Sequence, residues 1–323
     1  MGRKKIAITI KNIKKKPVIP VFAGMALIFF LGLAFFSRKP VIVVTDRAFT
    51  ALYGEKRTRL KRLGISIRVF RRIKVALVAE EAGPDVAAQA AMGLSRRPLA
   101  VFFPYRYREG ALRYVKERPG FPVIILGGRN LPPDGTDTSS PVWLTTDTET
   151  DLYRAGIFAG LAARYMEQNS EETRHKPEVA LFWDGLEERN PRDEAKKTAF
   201  EKGVGEYWPG IPLFSPNPEE QYLACAVLMG DYRFNWEKIP RSLIFFTWMD
   251  SALTPGKTLA VFDDSPWAQI IPALKLLRGK PAGTENLVPS EITVPRRNKL
   301  HKNEYLAIKR LKTLKYQGKT ADN

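Results

Sequence analysis

Val41-Ile-Val-Val-Thr45 opens a series of short apolar runs that alternate with longer stretches of helical pattern. Leu99-Ala-Val-Phe-Phe103 and Pro122-Val-Ile-Ile-Leu126 are further runs of the same kind. Unbroken apolar runs of about five residues are typical of strands that are buried on both faces of a parallel sheet. Because such runs alternate with helical stretches, the sequence predicts β-α-β units with right-handed crossovers, and therefore an α/β fold.

A second series of runs follows the polar stretch 169–176, after a long helix predicted over 149–168. Two series in one chain predict two lobes, each with its own parallel sheet flanked by helices. Two further local predictions are that residues 65–70 are extended and that residues 219–229 are helical. The run around Cys225 predicts that this single cysteine is a small buried residue.

The N-terminus combines a basic block with a long apolar segment. Residues 17–36 are 20 consecutive uncharged residues, and a helix of that length would rise ~30 Å, the thickness of the hydrocarbon core of a bilayer. The positive-inside rule makes 1–16 a basic cytoplasmic tail, 17–37 a transmembrane signal anchor and the rest extracytoplasmic. The alternative is a cleaved signal, but Ala34-Phe35-Phe36-Ser37 is a poor cleavage site.

Composition excludes several classes of protein. One cysteine excludes a disulfide framework, and two histidines 126 positions apart give no histidine metal cluster. No cofactor, metal ligand or catalytic residue is predicted. The formal charge is +18, but residues 1–40 carry nine basic residues and no acid, which is half of it. The basic segment 296–319 has an apolar stripe typical of a docked helix, so no nucleic-acid partner is expected.

Candidate binding residues follow the predicted strands. Ligands of open α/β sheets bind outside the carboxyl ends of the strands, so the residues directly after each run are the informative ones. Acidic and aromatic residues recur there, a combination that suits a polar ring or a sugar. An alternative for any single aspartate is that it caps the next helix. The strand-end argument selects Tyr105, Trp248, Asp250 and Asp263.

Three stretches carry a resemblance to a known family. They are Val41-Ile-Val-Val-Thr-Asp46 with Phe49, residues 145–160, and Glu178-Val-Ala-Leu-Phe-Trp-Asp-Gly185 followed by residues 200–204. The pattern over most of residues 40–295 resembles the type I periplasmic-binding-protein fold. It is most similar to the basic-membrane-protein family, the nucleoside-binding, substrate-binding proteins of ABC transporters. The chain departs from that family at the missing lipid-bearing cysteine and at the first turn, Asp46-Arg47-Ala48-Phe49.

The resemblance implies a ligand clamped between two hinged lobes. Lobe 1 would comprise 40–146 with a returning segment of about 266–290, and lobe 2 would comprise 147–265 with a C-terminal strand and helix at about 291–316. The chain would cross between them near Asp147 and again after about Ser265. The residues implied to touch the ligand are Asp46 and Phe49 from lobe 1 and Trp183 and Asp184 from lobe 2.

The favoured function is therefore an anchored extracytoplasmic solute-binding protein for uptake or sensing, with a purine nucleoside or a sugar as the ligand and an ABC transporter permease as a candidate partner. An enzyme is disfavoured, because Gly256-Lys257-Thr258 lacks the first glycine of a phosphate loop, Ser251 standing in its place. No G-x-S-x-G or H-E-x-x-H motif is present. The remaining alternative is an anchored scaffold of the same fold that has lost its ligand.

Overall fold

The structure, a computed structural model, describes residues 29–129, 141–169, 176–183, 191–214, 223–229, 242–247, 257–278 and 285–295, with 310, 311, 314 and 316. Residues 29–37 are helical and are designated α1. No helix within these ranges is both long enough and apolar enough to cross a bilayer. Most of the predicted 17–37 anchor lies outside the described residues.

The first sheet belongs to lobe 1. Its strands are β1 (Val41–Asp46), β2 (Ile73–Val78), β3 (Ala100–Pro104), β4 (Val123–Gly128), β5 (Val142–Thr146) and β11 (Glu285–Val288). They are parallel throughout and lie in the order β11-β5-β4-β3-β1-β2. Every residue of β1 is buried, because helices cover both faces of the sheet.

Different helices pack on the two faces of this sheet. On one face, the side chains of Val41 and Val43 pack with residues of α2 (Arg47–Tyr53), α3 (Glu55–Val69) and α8 (Pro266–Leu276). On the opposite face, Ile42 and Val44 pack with the alanines of α4 (Pro84–Leu94) and with α5 (Arg108–Glu117). Alternate residues of one strand therefore supply two separate cores.

The second sheet belongs to lobe 2. Its strands are β6 (Glu178–Trp183), β7 (Leu213–Phe214), β8 (Leu223–Met229), β9 (Ser242–Phe245), β10 (Thr258–Asp263) and β12 (Glu291–Thr293). They lie in the order β12-β10-β9-β8-β6-β7, and β12 is antiparallel to β10. The helices α6 (Thr148–Asn169) and α7 (Pro191–Gly205) cover one face. The predicted class, two parallel-sheet α/β lobes, is confirmed by the two sheets.

The described chain passes between the lobes three times, from β5 to α6, from β10 to α8 and from β11 to β12. The crossings are joined by hydrogen bonds. The Asp147 amide donates to the Val288 carbonyl at 2.9 Å, and the Ser290 amide donates to the Asp151 carboxylate at 3.0 Å. The carboxyl ends of both sheets therefore face each other across a braced hinge.

Two local predictions were wrong. Residues 65–69 are the end of α3 rather than extended, because only Ile65 turns inward while Ile67 stays 68 % exposed. Alternating β-branched residues imitated a strand there, and the helix ends at Phe70, which adopts a left-handed φ of 50°. Residues 223–229 form strand β8 rather than a helix, and burial of all seven residues explains their unbroken apolar run. Cys225 is fully buried, as predicted.

Candidate functional site

An arginine–aspartate pair joins the lobes at the carboxyl ends of their strands. Arg129 follows β4 in lobe 1, and Asp264 follows β10 at the start of the second crossing. The Nη1 atom of Arg129 donates to Oδ2 of Asp264 at 2.8 Å and to the Phe246 carbonyl at 3.5 Å. Because Phe246 follows β9, this one guanidinium contacts both lobe 2 and the crossing segment.

The aromatic ring of Phe246 supports the Arg129 side chain. The guanidinium carbon lies 5.0 Å from the ring centroid, which is a cation–π distance. The other face of the ring stacks on Phe262 at 4.7 Å with an angle of 4° between the planes. Phe246 is therefore covered on both faces and orients Arg129 from lobe 2.

The pair has hydrogen-bonding atoms left over. Nε and Nη2 of Arg129 and Oδ1 of Asp264 are buried and have no hydrogen-bond partner in the part of the chain that the structure describes. Burial raises the pKa of Asp264, Arg129 opposes that shift and Asp263 adds to it. Buried polar atoms without partners cost free energy, so two donors and one acceptor here are suited to a polar guest.

A glycine makes the turn at the end of β4 possible. Gly128 has a φ of 57°, which is strained for any residue with a side chain. Space is not the reason for the glycine, because a Cβ atom there would lie at an ordinary contact distance of 3.5 Å from Oδ2 of Asp264. The strand therefore turns at Gly128 and delivers Arg129 beside the acid.

Asp263, a predicted site residue, lies at the end of β10 and is fully buried. Its carboxylate accepts hydrogen bonds from the Tyr53 hydroxyl at 3.1 Å, from Nη2 of Arg57 at 3.0 Å and from the Ser265 amide at 2.9 Å. The Arg57 guanidinium also lies over the Tyr53 ring, 4.2 Å from its centroid. These contacts tie α2 and α3 of lobe 1 to lobe 2, so Asp263 has a bridging position.

Asp46 lies at the end of β1 and is 1 % exposed. It caps α2 by accepting from the Phe49 amide at 2.6 Å, the arrangement raised as the alternative to ligand binding. It also accepts from the Tyr107 hydroxyl and from Nη1 of Arg106, each at 3.2 Å. These partners all belong to lobe 1, so the carboxylate organises this edge of the first sheet.

The predicted aromatic residues are spread over the two sheet edges. Phe49 stacks on Tyr53 at 5.4 Å, and through Tyr53 it is joined to Asp263. Tyr105 packs edge-on against Trp143 at 6.2 Å. Trp183 ends β6, which β8 and β9 separate from β10, so it lies ~14 Å from the end of β10. Asp184, Trp248 and Asp250 lie outside the described residues.

Sequence reasoning missed Arg129 and Tyr53. Arg129 directly follows a glycine pair at a predicted strand end, which was a usable signal, but only acidic and aromatic residues were predicted to bind the ligand. Tyr53 gave no signal, because its contact with Asp263 joins residues 210 positions apart. Among the residues described, no group of three or more His, Cys, Asp or Glu is placed to hold a metal ion.

A groove of about 850 Å³ lies elsewhere, between α3 and α8. None of the predicted site residues that the structure describes lines it. Its walls combine basic and apolar side chains, among them Arg57, Leu60, Lys61, Arg68, Trp267, Ile271 and Lys275.

No protein family matches the sequence, and no curated protein matches it. Among solved structures, an ABC transporter system solute-binding protein from Conexibacter woesei matches with a TM-score of 0.50 and 13 % identity, covering 87 % of this chain and 99 % of that one. The arabinose-binding protein AraP from Geobacillus stearothermophilus matches with a TM-score of 0.48 and 14 % identity, over 82 % and 99 % of the two chains. A periplasmic solute-binding protein from Actinobacillus succinogenes with bound D-allose gives 0.46 and 14 %, over 82 % and 100 %.

At these identities the likeness defines the fold alone. The Conexibacter woesei match and the two parallel-sheet lobes agree on the type I periplasmic-binding-protein fold, which confirms that part of the predicted resemblance.

Proposed function

We propose that this protein is an extracytoplasmic, membrane-anchored solute-binding protein that clamps a small polyhydroxylated ligand, a sugar, between its two lobes. The observation that carries the proposal is the Arg129–Asp264 pair, which joins the lobes and retains unpartnered hydrogen-bonding atoms.

Sugar hydroxyls suit this pair because each hydroxyl both donates and accepts a hydrogen bond. Oδ1 of Asp264 would accept from one hydroxyl, while Nε and Nη2 of Arg129 would donate to its neighbour. Bonds to charged groups are stronger than neutral ones, and the planar guanidinium fixes their direction. The ligand would thereby contact lobe 1 and the crossing segment at once, which favours the closed arrangement of the lobes.

A purine nucleoside is the second ligand candidate, since its ribose carries the same adjacent hydroxyls. The described residues support it less, because both faces of the Phe246 ring are already covered. We assign Phe49, Tyr105, Trp183 and Asp184 to the walls of the cleft, together with Trp248 and Asp250. Asp46 and Asp263 would hold those walls in place through their hydrogen bonds.

The protein would act at the extracytoplasmic face of the membrane. Residues 17–37 would hold the protein in the membrane with 1–16 in the cytoplasm, and an ABC transporter permease would collect the ligand. The charge asymmetry around the apolar segment supports this orientation.

Titration of the full chain in detergent with arabinose, ribose, allose, glucose, inosine and guanosine tests the proposal. We expect at least one compound to raise the melting temperature and to bind by calorimetry. Arg129→Met and Asp264→Asn should each weaken that binding about tenfold or more, which is the loss of one charged hydrogen bond. Arg113→Met, a change on the outer surface of α5, is the matched control and should bind as wild type does.

The second candidate function is the anchored scaffold. It is favoured by the position of the 850 Å³ groove, which opens between α3 and α8 and is not lined by Arg129 or Asp264. Absence of any thermal shift over the whole panel would support the scaffold and overturn the binding proposal. Binding that survives both substitutions would instead overturn the site assignment.

A further inference from the structure

Helix α3 presents an apolar stripe to solvent. Leu60, Leu63 and Ile67 are 59, 57 and 68 % exposed. Their spacing of three and four residues places them on one side of the helix. Single exposed leucines are ordinary, but a continuous stripe of three large apolar residues indicates a surface that is covered by something.

The surroundings of the stripe are strongly basic. Residues 55–74 contain nine lysines or arginines and a single acid, Glu55. Lys56, Arg59 and Arg68 are exposed and border the stripe. Just beyond the helix, burial and the nearby Arg38 and Arg278 lower the pKa of Arg71, so cations crowd one another here. This surface is complementary to an anionic partner.

The basic end of α3 is in contact with α1. The rings of Phe35 and Phe70 lie 5.6 Å apart in an edge-to-face arrangement. The guanidinium of Arg38 lies 4.9 Å from the Phe70 centroid, and that of Arg72 lies 5.6 Å from the Phe36 centroid. Long arginine side chains at the end of an apolar segment reach the headgroup level of a bilayer.

Helix α1 continues the apolar surface. Phe29, Phe30, Leu33 and Phe36 are between 52 and 66 % exposed. These residues are the C-terminal part of the uncharged segment 17–36. If that segment is the anchor, the contact with Phe70 places the end of α3 at the level where the chain leaves the bilayer.

We propose that α3 lies in the headgroup layer of an anionic phospholipid bilayer, an inference that rests on the membrane anchoring proposed above. Leu60, Leu63 and Ile67 would enter the acyl region, and the bordering basic side chains would bind lipid phosphates, as in interfacial amphipathic helices. The groove between α3 and α8, with Leu60, Arg68 and Lys275 in its walls, offers the same combination to a lipid headgroup and its chain. Lobe 1 would thus be oriented on the membrane rather than tethered loosely above it.

A fluorescent label that reports contact with acyl chains tests the proposal in the full chain. Cys225 is fully buried, so a thiol label will attach selectively to a cysteine introduced by Leu63→Cys. The protein is incorporated into vesicles of phosphatidylcholine and phosphatidylglycerol in equal amounts, with bromine atoms on the acyl chains. The matched control is Val86→Cys, an exposed position (54 %) on α4 at the opposite face of the first sheet.

We expect the label at position 63 to lose most of its fluorescence in the brominated anionic vesicles, and the label at position 86 to keep it. The loss at 63 should shrink in vesicles of phosphatidylcholine alone, in high salt, and in the Lys56→Glu, Arg59→Glu background. Equal signals at 63 and 86 would overturn the proposal and would leave a protein partner as the occupant of the stripe. Flotation of the same vesicles reports the anchor separately, so protein that floats without quenching at 63 retains the anchor and loses only the docking.

Discussion

Two helix pairs occupy comparable positions, one over each sheet, and they pack in opposite ways. In lobe 2, α6 and α7 meet through glycines, since a Cβ atom at Gly156 would overlap the Phe200 carbonyl oxygen and one at Gly203 would overlap that of Tyr153. In lobe 1, α3 and α8 diverge around a groove of about 850 Å³, and a Cβ atom at Gly64 would meet nothing within 4 Å.

Helix pairs in comparable positions therefore do not have to pack in the same way. The α6–α7 contact is a backbone-to-backbone contact with no room for adjustment, so it fixes the position of α7 relative to α6. The α3–α8 pair packs on the first sheet through Ile65 and Trp267, and it contacts lobe 2 through polar bonds to Asp263 and Glu291. Its outer surface, where Leu60, Leu63 and Ile67 are exposed, is available for a partner.

The glycine contact gives the largest expected effect. Gly203→Ala places a methyl group against the Tyr153 backbone and should lower the free energy of unfolding by about 3 kcal/mol or more, as overpacking against backbone does. Gly205→Ala, two residues further along α7, is the control, because nothing lies within 4 Å of its Cβ position. Urea unfolding measures both, and equal stabilities would refute the rigid contact.

Asp151, which lies in the first turn of α6 and bonds to Ser290 at the hinge, should make the stability of the protein depend on pH. Burial raises the pKa of Asp151 to about 7, against the lowering effects of hydrogen bonding to Ser290 and of Arg129 and Arg154. Between about pH 4 and 7 the unfolded chain loses this proton before the folded one does, so stability falls as the pH rises.

Asp151→Asn should remove that contribution. The wild-type protein should lose about 2 kcal/mol relative to the variant between pH 5 and 6.5, since one proton changes stability by at most about 1.4 kcal/mol per pH unit. Urea unfolding at the two pH values measures it. Parallel pH profiles for the two proteins would mean that Asp151 is ionised in the fold.

At the end of α2, the hydroxyl of Tyr53 bridges the two lobes by donating a hydrogen bond to Asp263. Burial and Asp263 raise the pKa of Tyr53, so it remains a donor to the Asp263 carboxylate. Tyr53→Phe should lower the free energy of unfolding by about 1.5 kcal/mol, the value of a hydrogen bond to a charged group. Tyr165→Phe is the control, because among the described residues the hydroxyl of Tyr165 has no hydrogen-bond partner. A similar loss in both variants would exclude a special role for the bridge.

The smallest expected effect comes from a substitution at the groove between α3 and α8. It is a stabilisation, whereas Gly203→Ala in α7 destabilises. Gly64→Ala should raise the free energy of unfolding by about 0.5–1 kcal/mol, because alanine restricts the unfolded chain and fits the helix without a clash. Thermal unfolding measures the change. Destabilisation would mean that α8 closes on α3 in solution.

Parts of the site could be predicted and parts could not. The rule that ligands lie at the carboxyl ends of parallel strands predicted Asp263, and the structure places the next residue, Asp264, beside Arg129. The rule could not say that Asp46 bonds only within lobe 1, because its partners Arg106 and Tyr107 are about 60 positions away. The sequence predicted a helix at residues 223–229, where the structure has a strand. Burial on both faces of the sheet removes the alternation of polar and apolar residues that distinguishes a strand from a helix.

The sequence by itself determined the class of fold, because short apolar runs alternating with helical stretches have one stable solution, helices layered on parallel sheets. It also determined the basic, apolar character of the N-terminal segment. Only the tertiary structure decided which polar groups meet across the lobes and which helix pairs close, because both depend on backbone approaches between residues far apart in the chain. Arg129 with Asp264 and Gly203 with Tyr153 are such approaches, and no local pattern encodes them.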